Sequence, residues 1–314
     1  MAIDRVGTAV NAQIMTSQIL KAEAALDKTN KQVASGNKSD TYTGYGSQTA
    51  ALEAARSAAA RADANVTVAQ QASTRLDLQD TQLTQLSSIA DQVRQVLTST
   101  IGTGDGSSLM GQMQDLFDQA VTVLNSKDGS GYIYAGENNQ TPPVTVGSLS
   151  DLAALPDVAS AFTNGTTAQT ARIGDNRTVQ VGVLASDVGT QLFSLFQSVA
   201  QFNAGGSGPF SANTSAAQET FLQAGVQQAT TTSTDLNGQT ATNGDRYKMV
   251  QDAITQLQST STVFKGFASN IQDVDMGAAL AQLNQNQVAL QAAFKVGSTM
   301  NQLSLLSYLP APTG

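Results

Sequence analysis

Between Ser47 and Ile101 the chain reads SQTAALEAARSAAARADANVTVAQQASTRLDLQDTQLTQLSSIADQVRQVLTSTI, with no Pro or Gly to interrupt it. One register of this stretch, Ala55, Ala62, Ala69, Leu76, Leu83, Ala90 and Leu97, repeats every seven residues and is apolar throughout. A companion row, Leu52, Ala59 and Val66, shifts once and resumes at Leu86 and Val93. An unbroken helix of this length extends roughly 80 Å at 1.5 Å per residue. A seven-residue apolar repeat sustained over it predicts a helix that pairs along a seam, as in a coiled coil. The small residues near its start permit close approach of a partner, and the later Leu and Val imply more neighbours. Gly102-Thr103-Gly104-Asp105-Gly106 ends it with a turn. A second helix from Ser107 to Asn125 then carries Leu109, Met113, Leu116, Phe117, Ala120 and Leu124 on one face.

A matching pattern lies near the other end. Leu222, Val226, Ala229, Ser233 and Leu236 are spaced by fours and threes, and Tyr247, Val250, Ile254, Leu257, Ser261 and Phe264 resume the register. Thr240 and Asn243, beside Gly238 and Gly244, occupy the lattice between and leave either a packing break or a turn open. These rows place Leu76, Leu83, Leu97, Val250, Ile254 and Leu257 in the core of a helical rod. Two amphipathic segments flank it. The first has Ile3, Val6, Val10, Ile14, Leu20 and Leu26; the second has Met276, Leu280, Leu283, Leu290, Phe294, Met300, Leu303 and Leu306. Neither buries its stripe alone, and most helical stability in proteins comes from tertiary packing. Pairing the two chain ends satisfies both.

Residues 129 to 214 change character. Tyr132-Ile133-Tyr134 and Val144-Thr145-Val146 are predicted as short strands, separated by Gly136 and the Pro142-Pro143 pair. Thr170 to Val183 is predicted as a hairpin bending at Gly174-Asp175-Asn176, and Leu192, Leu195, Phe196, Val199 and Phe202 as one helical face closed by Gly205-Gly206. The expected fold is mainly α: a long antiparallel helical, coiled-coil rod drawn from both chain ends, with a small central α+β insert. Its parts are terminal arms at 1–45 and 269–314, a helical rod at 46–128 and 215–268, and the insert at 129–214.

Composition excludes much chemistry. The 314 residues are 40% hydrophobic yet only 5% aromatic and 13% charged, against about 25% charged in an average globular domain. Slender bundles need one apolar stripe per helix, whereas a thick enzyme core needs more. Cys, His and Trp are absent, which rules out disulfides, thiol nucleophiles, Cys or His metal ligands and His-based triads. A formal charge of −8 argues against nucleic acid, since phosphate binding needs clustered Lys and Arg. No apolar run reaches membrane-spanning length, and the start, Met1-Ala2-Ile3-Asp4-Arg5, lacks a secretory signal pattern. Asp105 and Asp128 sit in Gly-rich turns without the alternating carboxylates of a calcium loop. Asp273 and Asp275 precede a helix, where carboxylates favour the positive end of its dipole. The residues offer no catalytic set, no metal site and no need for a cofactor.

The segment Gln32-Val33-Ala34-Ser35-Gly36-Asn37-Lys38, between an amphipathic arm and a long Ala-rich helix, resembles the Ser-Gly-Lys/Arg turn of bacterial flagellins. Asp273-Val274-Asp275-Met276 through Gln291-Ala292-Ala293 is similar to the flagellin C-terminal arm. Two further features resemble the hook-associated branch of that family, which joins hook to filament. One is Tyr132-Ile133-Tyr134-Ala135-Gly136-Glu137-Asn138-Asn139-Gln140-Thr141-Pro142-Pro143; the other is Leu303-Ser304-Leu305-Leu306-Ser307-Tyr308-Leu309. The resemblance implies a non-enzymatic structural subunit of the flagellum, exported by the flagellar type III apparatus with an export chaperone. Its terminal arms would form an inner tube in a helical or ring homo-oligomer. Its assembly interface would hold Ile3, Val6, Val10, Ile14, Leu280, Leu283, Leu290, Phe294, Leu303 and Leu306, with Leu283 and Leu290 exposed in the monomer. Hook-associated protein 1 and flagellin would be its partners. A filament-forming flagellin shares the helical features, and a secreted coiled-coil adhesin would share the heptads alone.

Overall fold

Every residue of the Ala55-to-Leu97 row is buried, none more than 5% exposed, and all lie on one uninterrupted helix. The computed structural model describes residues 2–306, with the backbone alone described at 2–9, 11 and 300–306. Three quarters of the chain is helical. In order, the elements are α1 (Ala2–Ser35), a 3-10 stretch (Tyr42–Gln48), α2 (Thr49–Thr103), α3 (Leu109–Leu124), β1 (Lys127–Asp128), β2 (Gly131–Tyr132), α4 (Leu149–Ala154), β3 (Thr170–Gly174), β4 (Arg177–Gln180), α5 (Ala185–Ala204), α6 (Ala216–Gln272) and α7 (Met276–Leu306). The chain divides into two compact units. One comprises Met1–Ala60 with Thr260–Gly314, the other Arg61–Ser259.

In the Arg61–Ser259 unit, α2 and α6 run antiparallel. Ser87 Oγ lies 3.3 Å from Ser233 Oγ, Asn243 Nδ2 donates to the Leu76 carbonyl at 2.8 Å, and Gln251 Nε2 donates to Ser73 Oγ at 2.7 Å, so numbers fall on α2 as they rise on α6. The helices approach closely at Gly225, where a Cβ would stand 3.0 Å from Leu97 Cδ1. The later part of α2, with α3, α5 and the start of α6, encloses one core, in which Phe117 meets Phe193 and Phe196 at ring-centroid distances of 5.2 and 5.6 Å. All six predicted α3 positions are buried there. The β3–β4 hairpin forms at the predicted bend, Gly174 pairing with Arg177 after a bulge. It lays Ile173, Val179 and Val181 against Ala69, Leu76, Val250 and Ile254. The insert therefore shares its cores with the long helices.

One local expectation is settled and another changes. The helix α6 continues through the polar stretch around Thr240 without a turn, and the break is one of apolar packing: one core ends at Leu236 and the next begins at Tyr247 and Val250. Asn243, 1% exposed, spends its amide on the Leu76 carbonyl. The Thr240 and Thr242 hydroxyls donate to the carbonyls of Leu236 and Gly238 one turn back, both at 3.0 Å. The strands expected at Tyr132–Tyr134 and Val144–Val146 shrink to β2 and an isolated bridge between Val144 and Phe162. Apolar alternation there marks burial and not a ladder. Ile133 and Tyr134 are core plugs at 0% exposure, their backbones bonded outside any strand: Ile133 N–H to the Ser126 carbonyl and Tyr134 C=O to the Ala185 N–H.

The Tyr134 hydroxyl has no hydrogen-bond partner among the described residues, and burial pushes its pKa far above the usual phenol range. An unmet buried hydroxyl costs about 1–3 kcal/mol. Tyr134→Phe should therefore keep the fold and gain about 1 kcal/mol in denaturant unfolding. A loss of stability on that substitution would mean the hydroxyl is satisfied.

Candidate assembly interface

Helices α1 and α7 pack against each other. The less exposed positions of α1 include the row Met15, Ile19, Ala22, Leu26, Thr29 and Val33, with Ala25 and Gln32 flanking it; those of α7 are Ala279, Leu283, Asn286, Leu290, Ala293 and Gly297. Both sets step by fours and threes, the spacing of a coiled-coil seam. The helices are antiparallel. Asn286 Nδ2 donates to Thr29 Oγ1 at 2.7 Å and to the Ala25 carbonyl at 3.2 Å, and a Cβ on Gly297 would stand 2.9 Å from Met15 Cε. Thr29, 3% exposed, and Ala279, 5%, are the best-covered seam positions.

Leu283 and Leu290, expected to be exposed in a single chain, are already half-buried on this seam. Val10, Ile14, Leu280 and Phe294 lie outside it and keep 47–50% of their surface exposed. The side chains of Ile3, Val6, Leu303 and Leu306 lie outside the described residues, as does the end of the Leu303-to-Leu309 motif. Of the expected rod core, Leu76, Leu83, Leu97 and Val250 are fully buried, Ile254 is 8% exposed, and Leu257 is half-buried. A pair of helices with so many alanines cannot cover all its large apolar side chains, and half of each outer one is left for another surface.

Between α1 and α2 the chain turns at Gly36, and between α6 and α7 at Asp273–Asp275. These turns are fastened to each other. Gly36, at φ 73°, ends α1 in the left-handed conformation, its N–H on the Gln32 carbonyl at 2.9 Å. Asn37 and Asp273 form an antiparallel bridge. It is closed by Lys38 N–H to the Gln272 carbonyl at 2.8 Å and by Val274 N–H to the Gly36 carbonyl at 2.9 Å. Gln272 Nε2 donates to Asn37 Oδ1 at 2.6 Å. The Lys38 ammonium donates to the carbonyls of Asn270 and Ile271 at 2.9 and 3.0 Å, and so places a cation on the negative end of α6. Asp275 Oδ1 accepts from the N–H groups of Gly277 and Ala278 and caps the start of α7. The carboxylate expected at a helix start is there, and the Ser-Gly-Asn-Lys turn is one half of a clasp.

A second polar fastening went unread in the sequence. Arg75, on α2, donates to Asp128 Oδ2 at 2.6 Å, to Ser130 Oγ at 3.2 Å, and to the carbonyls of Ile133 and Val181 at 3.1 and 3.2 Å. One guanidinium thus holds the β1–β2 turn and the chain after β4. Asp128 is a turn residue, as expected, and Asp105 likewise accepts from Ser107 N–H within its own turn. Among the described residues, no group of three carboxylates, imidazoles or thiols is placed to hold a metal, and no helix is long and apolar enough to cross a membrane.

Long helices from opposite chain ends, paired with each other and bracketing an insert, define the class of this fold. Within that class, residues 226–309 match the bacterial flagellin C-terminal helical region. The fold is similar to that of FlgL from Bacillus cereus, with a TM-score of 0.53 at 10% identity over 69% of this chain and 98% of that one. It is similar as well to a Vibrio parahaemolyticus protein assigned as a flagellar hook-associated protein, with a TM-score of 0.51 at 13% identity over 70% of this chain and 93% of that one. No curated protein matches the chain by sequence.

Proposed function

We propose that this chain is a structural, non-enzymatic subunit of the bacterial flagellum that joins the hook side to the flagellin filament. The carrying observation is the α1/α7 pair, built from both chain ends and leaving Val10, Ile14, Leu280 and Phe294 about half exposed. Apolar surface of this kind on a thin helix pair gains stability by packing against copies of itself. The flagellin-type C-terminal helices and the fold shared with a FlgL support the flagellar setting. On this reading the subunit forms a helical or ring homo-oligomer and meets hook-associated protein 1 on one side and flagellin on the other. It reaches its place outside the cell through the flagellar type III apparatus, accompanied by a chaperone.

Deletion of the gene tests the reading. Such a strain should complete its hooks, release unpolymerised flagellin into the medium and fail to swim. A strain that instead grows shortened or altered filaments still attached to the hook would make the chain a flagellin. So would purified protein that polymerises by itself into long filaments.

A further inference from the structure

We propose that the Arg61–Ser259 unit is jointed at a buried polar layer, where the smaller of its two cores opens by itself while the larger stays closed. The larger core takes in α3, α5 and the Phe117, Phe193 and Phe196 rings, and reaches Leu83 on α2 and Leu236 on α6. The smaller lays the β3–β4 hairpin on Ala69, Ala72, Leu76, Val250, Ala253 and Ile254, and its buried residues include no aromatic ring. Between Leu76 and Leu83 the buried positions of α2 are Gln79 and Gln82, and between Leu236 and Val250 α6 buries Asn243. Leu78, the large apolar side chain of that interval, faces outward. Gln79 is 0% exposed, yet neither its amide nitrogen nor its oxygen has a partner among the described residues. Gln82 Oε1 and Asn243 Oδ1 are likewise unmet. Apart from the Asn243–Leu76 bond, the layer offers neither apolar burial nor paired dipoles to hold one core to the other. An unmet buried amide costs free energy that opening to water returns. The same stretch of α6, Asn237-Gly238-Gln239-Thr240-Ala241-Thr242-Asn243-Gly244, sets two glycines among Asn and Thr, all poor helix formers. Arg75 ties across the joint, since it stands on the small-core side of α2 and donates to the carbonyl of Ile133, a residue of the larger core. Proteins open locally in contiguous units where few apolar contacts cross the boundary. Residues 61–76, the hairpin and residues 247–259 form such a unit. The inference rests on packing within Arg61–Ser259 and stands whether or not the subunit joins hook to filament.

Hydrogen exchange of the intact chain under native conditions, read by mass spectrometry, tests this. Amides of residues 61–76, of β3 and β4 and of residues 247–259 should exchange as one group, about tenfold or more faster than those of α3 and α5. Ile89→Val trims the larger core, which stays closed in the opened state. It should speed exchange in α3 and α5 by roughly fivefold and leave the small-core group unmoved. Gln79→Met with Asn243→Leu replaces the layer by apolar groups of similar size, and should slow the small-core group by about tenfold. Exchange of both cores as a single group in the wild-type chain would overturn the proposal. So would an Ile89→Val effect that speeds the two groups equally. An unchanged small-core rate in the Gln79→Met, Asn243→Leu variant would overturn it as well, since the layer would then not be the weak point. If that variant fails to fold, the wild-type and Ile89→Val measurements decide.

Discussion

Replacing Leu283 and Leu290 together by aspartate should separate α7 from α1 and, under the proposed function, abolish incorporation into the flagellum, while the Arg61–Ser259 unit stays folded. Both leucines are half-buried on the seam, and a fully buried leucine contributes about 1.5–3 kcal/mol. Half-burial of two gives roughly that much in total, and each carboxylate placed in an apolar seam adds a desolvation cost. A pair whose other seam residues include Ala22, Ala279, Ala293 and Gly297 has little further apolar surface to compensate. Circular dichroism of the purified variant should show helix lost, while the thermal transition of the larger unit is unmoved. Normal incorporation of this variant would remove the seam from the assembly mechanism.

The second large effect is expected at Arg75. Its side chain is 10% exposed and that of Asp128 20%, so Arg75→Met strands a mostly buried carboxylate and frees the carbonyls of Ile133 and Val181. Breaking a buried pair costs about 3–5 kcal/mol, and the lower figure applies because Asp128 keeps some solvent. At about 2–4 °C per kcal/mol for a unit of this size, the transition should fall by roughly 6–12 °C. Adding Asp128→Asn should restore part of the loss by removing the orphaned charge. The pH dependence has a definite sign. Burial pushes the Asp128 carboxyl up, but Ser130 through its hydroxyl and N–H, the Arg75 charge and the Gly131 N–H outweigh it and hold the pKa below the usual value. A depressed carboxylate stabilises the fold above its unfolded value and loses that contribution as pH falls through the folded one. The difference between wild type and Arg75→Met should thus be full at neutral pH and shrink below about pH 3.9. An equal difference at pH 7 and in strong acid would separate the destabilisation from the ion pair.

The legible and illegible parts divide along physical lines. The α2 rows were readable because large and small apolar residues recur at one interval over many turns, and every member proved buried except the half-buried Val66. The hairpin was readable because Gly174-Asp175-Asn176 leaves the chain few ways to continue straight. The α1 seam was not. Reading large apolar residues found Leu26 but also singled out Val10, Ile14 and Leu20, which are exposed, whereas Ala22 and Thr29 on the seam went unread. An alanine or a threonine on a seam looks the same in sequence as one facing water. The clasp left a local trace at Gly36, but its other half lies more than 230 residues away, as the Lys38–Asn270 and Gln272–Asn37 bonds show. Arg75 gave no periodic signal, because its partners are turn residues and bare carbonyls.

The contacts between the two halves of the chain are nested. Ser87 and Ser233 are 146 residues apart, Leu76 and Asn243 167, Ser73 and Gln251 178, Asn37 and Gln272 235, and Thr29 and Asn286 257. Closing a loop costs entropy that grows with its length, so a long-range contact forms most cheaply after the shorter loop inside it has closed. Folding is therefore easiest from the centre of the chain outward, in the manner of a zip, and the two ends meet last. A thread delivered unfolded would condense around its middle, with its termini still free when it reaches its destination.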